Sequence, residues 1–219
     1  MPSPFISNKT RILEISAVIL TAIGKFIFMD WLNWRFPFIV TAIIGWISYM
    51  IYQNKKQPGI LKYWGFRTDN FLMVVKKLLP FGLLALFAFI VIGIYQNSMH
   101  INWHIIPILI LYPAWGIIQQ YLLIALTVGN MQDLQGQKPG KVVIILLAAL
   151  LFAFVHYPFI WLMAGTFFLA VLYGWTYWKE RNLYVLGLFH GWLGGVFYYT
   201  VLGRDPFLET FGKLLGLTT

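Results

Sequence analysis

Long apolar runs constrain this chain more than any other feature. Seven of them lie near residues 12–29, 36–52, 78–95, 105–126, 142–162, 163–178 and 183–203. About 20 helical residues cross the ~30 Å hydrocarbon core of a bilayer. With no water there, the backbone must satisfy its own hydrogen bonds, which leaves helices and closed barrels. Continuous rather than alternating apolar runs predict helices. The expected fold is all-α: a polytopic transmembrane helix bundle of about seven spans, making a single integral membrane domain over residues 1–219. Composition agrees, with 60% hydrophobic and 11% charged residues, where a soluble domain carries roughly 25% charged. The fifth and sixth runs are continuous in sequence. The only break between them is "HYPF" around Pro158, where proline removes a helix hydrogen bond. The opening "MPSPFISNKTR" does not read as a signal peptide, because the run after it is too long and lacks a small-residue cleavage site.

Charge orients the helices. Twelve Lys and Arg residues, from Lys9 to Arg181, fall in the segments expected inside, and Arg35, Arg204 and Lys213 fall outside. This bias predicts N-in, C-out. The net charge of +9 is spread between apolar segments rather than along one face, so no nucleic-acid partner is expected. The chain has no cysteine, which excludes disulfides, thiolate catalysis and Cys-ligated metals. Two segments read as interfacial helices. "KYWGFRTDNFLMVVKK" mixes aromatic, basic and apolar residues. "DPFLETFGKLLGL" has Asp205 as N-cap, Pro206 at the first helical position and an apolar stripe from Phe207 to Leu215.

Polar side chains inside the runs make a short list: Gln119 and Gln120 in the fourth, His156 in the fifth and His190 in the seventh. Such residues are costly in hydrocarbon and face a bundle interior. Helix–helix bonding, at about 0.6–2 kcal/mol each, is one role for them. Adjacent glutamines point about 100° apart, so one packing contact rarely uses both, and two further imidazoles favour a shared polar cavity. Gly187, Gly191 and Gly195 form a small-residue stripe beside His190, suited to close backbone approach. Of the seven carboxylates only Glu14 falls inside a run, and it is expected to pair with Lys or Arg at the interface. His100 and His104 have i, i+4 spacing, which on a helix suits a metal. No third ligand stands nearby, so no metal or cofactor is expected.

Together these residues resemble the CAAX-protease and bacteriocin-processing (Abi-type) intramembrane protease family. Its motifs are Glu-Glu-x-x-x-Arg, Phe-x-x-x-His and His-x-x-x-Asn. Here "QQYLLI" stands in the first place, Phe152 to His156 keeps the second, and His190 to Gly194 half keeps the third. The resemblance implies a helical bundle in a bacterial cytoplasmic membrane, with a cavity where Glu and His activate water against a peptide. Carried over by position, Gln119 and Gln120 replace both Glu, Ile124 the Arg and Gly194 the Asn. A carboxamide can orient water but cannot take its proton. An Arg left without its carboxylate would be a buried unpaired charge, so its loss is consistent with that of the Glu pair. The leading expectation is therefore a pseudoprotease-like cavity of Gln119, Gln120, His156 and His190 that binds a lipid, isoprenoid or peptide ligand. Three alternatives stand beside it: a hydrolase or lipid-modifying enzyme using His156 or His190 as acid-base, an endopeptidase with a rewritten first motif, and a scaffold with a polar packing layer. The oligomeric state is not legible.

Overall fold

The computed structural model describes residues 6–217 and contains helices and no strand among them. Helices stand at all seven apolar runs. They are α1 (Asn8–Gly24, continuing in π-helical turns over Lys25–Trp31), α2 (Arg35–Lys56), the short α3 (Ile60–Trp64), α4 (Phe71–Gln96) and α5 (Ile105–Gln120). A π-helical stretch, Tyr121–Gly129, then leads into α6 (Asn130–Asp133), followed by α7 (Lys141–Phe154), α8 (Ile160–Lys179) and α9 (Leu183–Thr200). A last helical stretch begins at Pro206 and ends in α10 (Lys213–Leu215). Five helices are long and apolar enough to cross a membrane: Asn8–Trp31, Arg35–Lys56, Phe71–Gln96, Ile105–Asp133 and Ile160–Lys179. At 14 residues α7 is shorter, and His190, glycines and tyrosines dilute the apolar character of α9.

Burial ranks these helices. In α2 only 6% of the apolar window is enclosed by protein, whereas in Ile105–Asp133 56% is. The helix that carries the two glutamines is thus wrapped, while Ile12, Leu20 and Ile44 leave α1 and α2 broadly apolar outside.

Contacts divide the chain into two compact units, Met1–Asn70 with Ile118–Tyr184, and Phe71–Ile117 with Val185–Thr219. In the first, α7 and α8 pack as a hairpin, and α1 runs beside the π-helical stretch and α6. Ser7 caps α1 by accepting from the Thr10 amide at 3.2 Å. Gly65 closes α3 with φ +103, and a Cβ there would stand 3.1 Å from the Arg181 backbone. The site requires glycine for both reasons.

Glycine also shapes the second unit. A Cβ on Gly191 would lie 2.3 Å from the Pro113 nitrogen, and one on Gly187 2.5 Å from Ile117 Cα. Helices α5 and α9 therefore meet backbone against backbone along the Gly187–Gly191 stripe. Gly195 is looser, with Ile108 Cγ2 at 3.1 Å from a Cβ built there.

Two sequence expectations change. Residues 62–77 are not one interfacial helix: Ile60 and Trp64 are buried in α3, and Phe71 opens α4, which continues unbroken through Pro80. The fifth run does not reach residue 162 as one helix. It ends at Phe154, and the turn at Val155–Phe159, with a cis Tyr157–Pro158 bond, precedes α8.

Candidate functional site

Gln119 and Gln120 close α5, immediately before the backbone changes from α to π winding. A π turn holds more residues than an α turn and leaves i−4 carbonyls without their usual partners. Here the Thr127 hydroxyl donates to the Leu122 carbonyl, five residues back, at 3.0 Å. Tyr121 is anchored on aromatic rings of the first unit, with Trp64 at 5.1 Å, Phe66 at 5.7 Å and Trp46 at 6.3 Å between centroids. Anchoring Tyr121 fixes where its neighbour Gln120 points. Gln120 is wholly buried, and neither its Oε1 nor its Nε2 has a hydrogen-bond partner among the described residues. Buried amides in native proteins are almost always partnered by protein, water or ligand. Gln119 is half-buried. Ile124 is completely buried, so an arginine at this position would enter an apolar wall.

His156 lies in the turn after α7, not within a helix. Its Nδ1 is 2.7 Å from the Phe152 carbonyl, and the Phe152 ring stands edge-on to it at 5.0 Å. The Phe-x-x-x-His spacing thus reflects one helical turn, over which the ring and carbonyl of residue i orient the imidazole of i+4. A carbonyl only accepts, so Nδ1 carries the proton, and the neutral ring keeps its lone pair on Nε2.

His190 belongs to α9, in the second unit. Its Cδ2 lies 3.2 Å from where a Gly116 Cβ would stand. Gly116, Gln119 and Gln120 are spaced i, i+3 and i+4, which places them on one face of α5. Gly194, at the position of the family's Asn, has open space within 4 Å of an added Cβ.

A cluster that sequence reading missed lies in the first unit. Arg11, 1% exposed, donates to Tyr63 Oη at 2.8 Å and to Asn130 Oδ1 at 3.1 Å. Asn130 Nδ2 donates to Glu14 Oε2 at 2.6 Å, and Tyr49 Oη donates to Glu14 Oε1 at 2.5 Å. Asp133 accepts from Tyr63 and from Arg181, the latter at 2.7 Å. Glu14 therefore hydrogen-bonds to a tyrosine and an asparagine inside the protein, not to a base at the interface as expected. Arg11 and Glu14 stand i, i+3 apart, one face of one turn, and that spacing was the available signal.

His104 has a partner that the sequence did not reveal. Residues 100–104 are not helical, so the metal spacing is not realised. Instead His104 Nδ1 meets Asp205 Oδ2 at 2.5 Å, and the ring stacks on Phe207 at 4.7 Å. Asp205 also accepts from Asn102, Tyr199 and the amides of Phe207 and Leu208, acting as the N-cap read from sequence. Burial raises its pKa, but the bonds from His104, Asn102, Leu208 and Tyr199 prevail and hold it at about 2. Among the described residues, no three His, Asp or Glu side chains gather as a metal site.

Five helices of membrane-crossing length and apolar composition define a polytopic integral membrane protein. More particularly, the chain belongs to the Rce1-like family of type II CAAX prenyl endopeptidases. That family's model matches residues 60–196, more than half of the chain and inclusive of all three motif positions. No curated protein and no solved structure matches the chain.

Proposed function

We propose that the protein is a CAAX-protease-like membrane protein with a neutral chamber in place of the family's acidic one. It would be lined by Gln119, Gln120, His156 and His190 and would bind a lipid-like or peptide ligand without glutamate-driven proteolysis. In this reading the whole chain is one integral domain of seven spans, N-in and C-out, in a bacterial cytoplasmic membrane. The supporting observation is the Gln120 carboxamide, which is buried with donor and acceptor both unpartnered among the described residues. That pair is matched by a ligand amide or hydroxyl, each of which both donates and accepts. Without a carboxylate at 119 or 120 there is no general base in the family's position.

The orientation of His156 favours a second reading, a membrane enzyme in which Nε2 is the acid-base atom. The test is mass spectrometry of ligand co-purified with wild type, Gln120→Leu and His156→Ala, each checked for unchanged thermal unfolding. A discrete ligand retained by wild type and weakened by up to roughly tenfold per lost hydrogen bond in Gln120→Leu supports the chamber. Identical retention in both overturns it, as does cleavage of a prenylated peptide by wild type. Turnover of the ligand by wild type but not by His156→Ala would select the second reading.

A further inference from the structure

The hydrogen bonds of the first unit bring one end of each of its helices together. Asn8 bonds to Gln135, Arg11 to Tyr63, Asp133 to Arg181, and Gln132 to the Trp178 carbonyl. The start of α1, the end of α2, α3, α6, the start of α7 and the end of α8 therefore share that end. It carries ten basic side chains and four acidic ones. The acids are largely committed inside the protein: Glu14 to Tyr49 and Asn130, Asp133 to Tyr63 and Arg181, and Asp69 to Arg67. The Arg67 hydrogen bond holds the Asp69 carboxyl down at about 2, so it stays ionised and paired. Among the described residues Glu14 is held by hydrogen bonds alone, and Glu180 has no ion pair.

Apart from Lys62, which lies 3.8 Å from Asp69, the lysines are not used this way. Lys9, Lys55, Lys56, Lys138 and Lys179 are exposed, and none has a carboxylate partner among the described residues. Lys141 lies over the Trp175 ring at 3.7 Å and near Trp178 at 5.6 Å, the aromatic setting of a headgroup layer. At the opposite ends of α1 and α2 the charge is nearly balanced, with Lys25 paired to Asp30 at 2.6 Å and Arg35 beyond.

We infer that this lysine-rich end of the first unit is a docking surface for anionic phospholipid headgroups. The chemistry is specific in kind: unpaired ammonium groups at several helix ends, bordered by indoles, facing a surface that carries phosphate charge. Each lysine close to an anionic leaflet strengthens binding by roughly fivefold, and salt screens the effect. This surface is separate from the chamber, so its failure and that of the chamber are distinguishable.

The full-length protein, reconstituted in nanodiscs of phosphatidylcholine mixed with phosphatidylglycerol, tests it by mass spectrometry of retained lipid. Wild type is expected to enrich phosphatidylglycerol over the bulk mixture and to unfold at a higher temperature than in phosphatidylcholine alone. The triple variant Lys55→Gln/Lys56→Gln/Lys179→Gln is expected to lose at least tenfold of that preference. Arg35→Gln, at the other end, is expected to keep it. Equal retention of both lipids by wild type, an unchanged preference in the triple variant or an equal loss in Arg35→Gln would each overturn the proposal. A patch serving an acidic protein or nucleic acid would give the first of these outcomes.

Discussion

The two units are held together internally by opposite means. In the second, α5 and α9 touch through glycine backbones, at Gly187 against Ile117 and Gly191 against Pro113. In the first, buried Arg11, Glu14 and Asn130 and half-buried Asp133 and Arg181 form a charged cluster joining α1 to α6. The glycine seam fails on added volume, because a backbone cannot move aside as a side chain can. The charged cluster fails on lost charge balance, because a buried ion without its partner bears the full cost of desolvation.

The largest effect is expected at the glycine seam. Gly191→Leu drives side-chain atoms into the Pro113 backbone and should abolish monodisperse folded protein, with a cost above the ~1–3 kcal/mol of ordinary overpacking. Gly194→Ala, only three residues along the same helix and facing open space, should instead stabilise by up to ~1 kcal/mol. Size-exclusion profiles and unfolding temperatures of the two variants would decide whether the contact or the residue type matters.

Next comes Arg11→Met, which leaves Glu14 without its nearby cation and should destabilise by about 3–5 kcal/mol. Adding Glu14→Met should recover a large part of that loss. A double-mutant cycle in denaturant showing simple additivity would remove the charged cluster from the comparison.

The smallest effect lies in the capping of the last helical stretch. Asp205 has a folded pKa of about 2, below the ~3.9 of a free aspartate. Its stabilisation is therefore present above about pH 4 and is lost as pH falls through its folded pKa. Asp205→Asn should remove that acid-dependent part, roughly 1 kcal/mol after solvent screening, as read from unfolding temperature between pH 6 and pH 3. An unchanged acid profile would show that the cap contributes nothing through its charge.

Long apolar runs are a local property, and every run became a helix because each residue's hydrogen bonds are made within its own segment. Motif spacing was legible for the same reason: Phe152 and His156 meet across one helical turn. The π winding after Gln120 was not legible, since its residues are as apolar as those of an α-helix. Glu14 was misread because its partner Asn130 is 116 positions away, and the partner of His104 was not legible because Asp205 is 101 positions away.

The sequence by itself determined an integral, helical member of this protease family with amides where the carboxylates should stand, because lipid admits few backbone solutions and chemistry follows side-chain type. Tertiary structure alone decided that Gln120 is buried with its amide unanswered among the described residues, and that Arg11 and Glu14 share an asparagine. Contacts between distant segments depend on how helices rotate and pack, which no local pattern encodes.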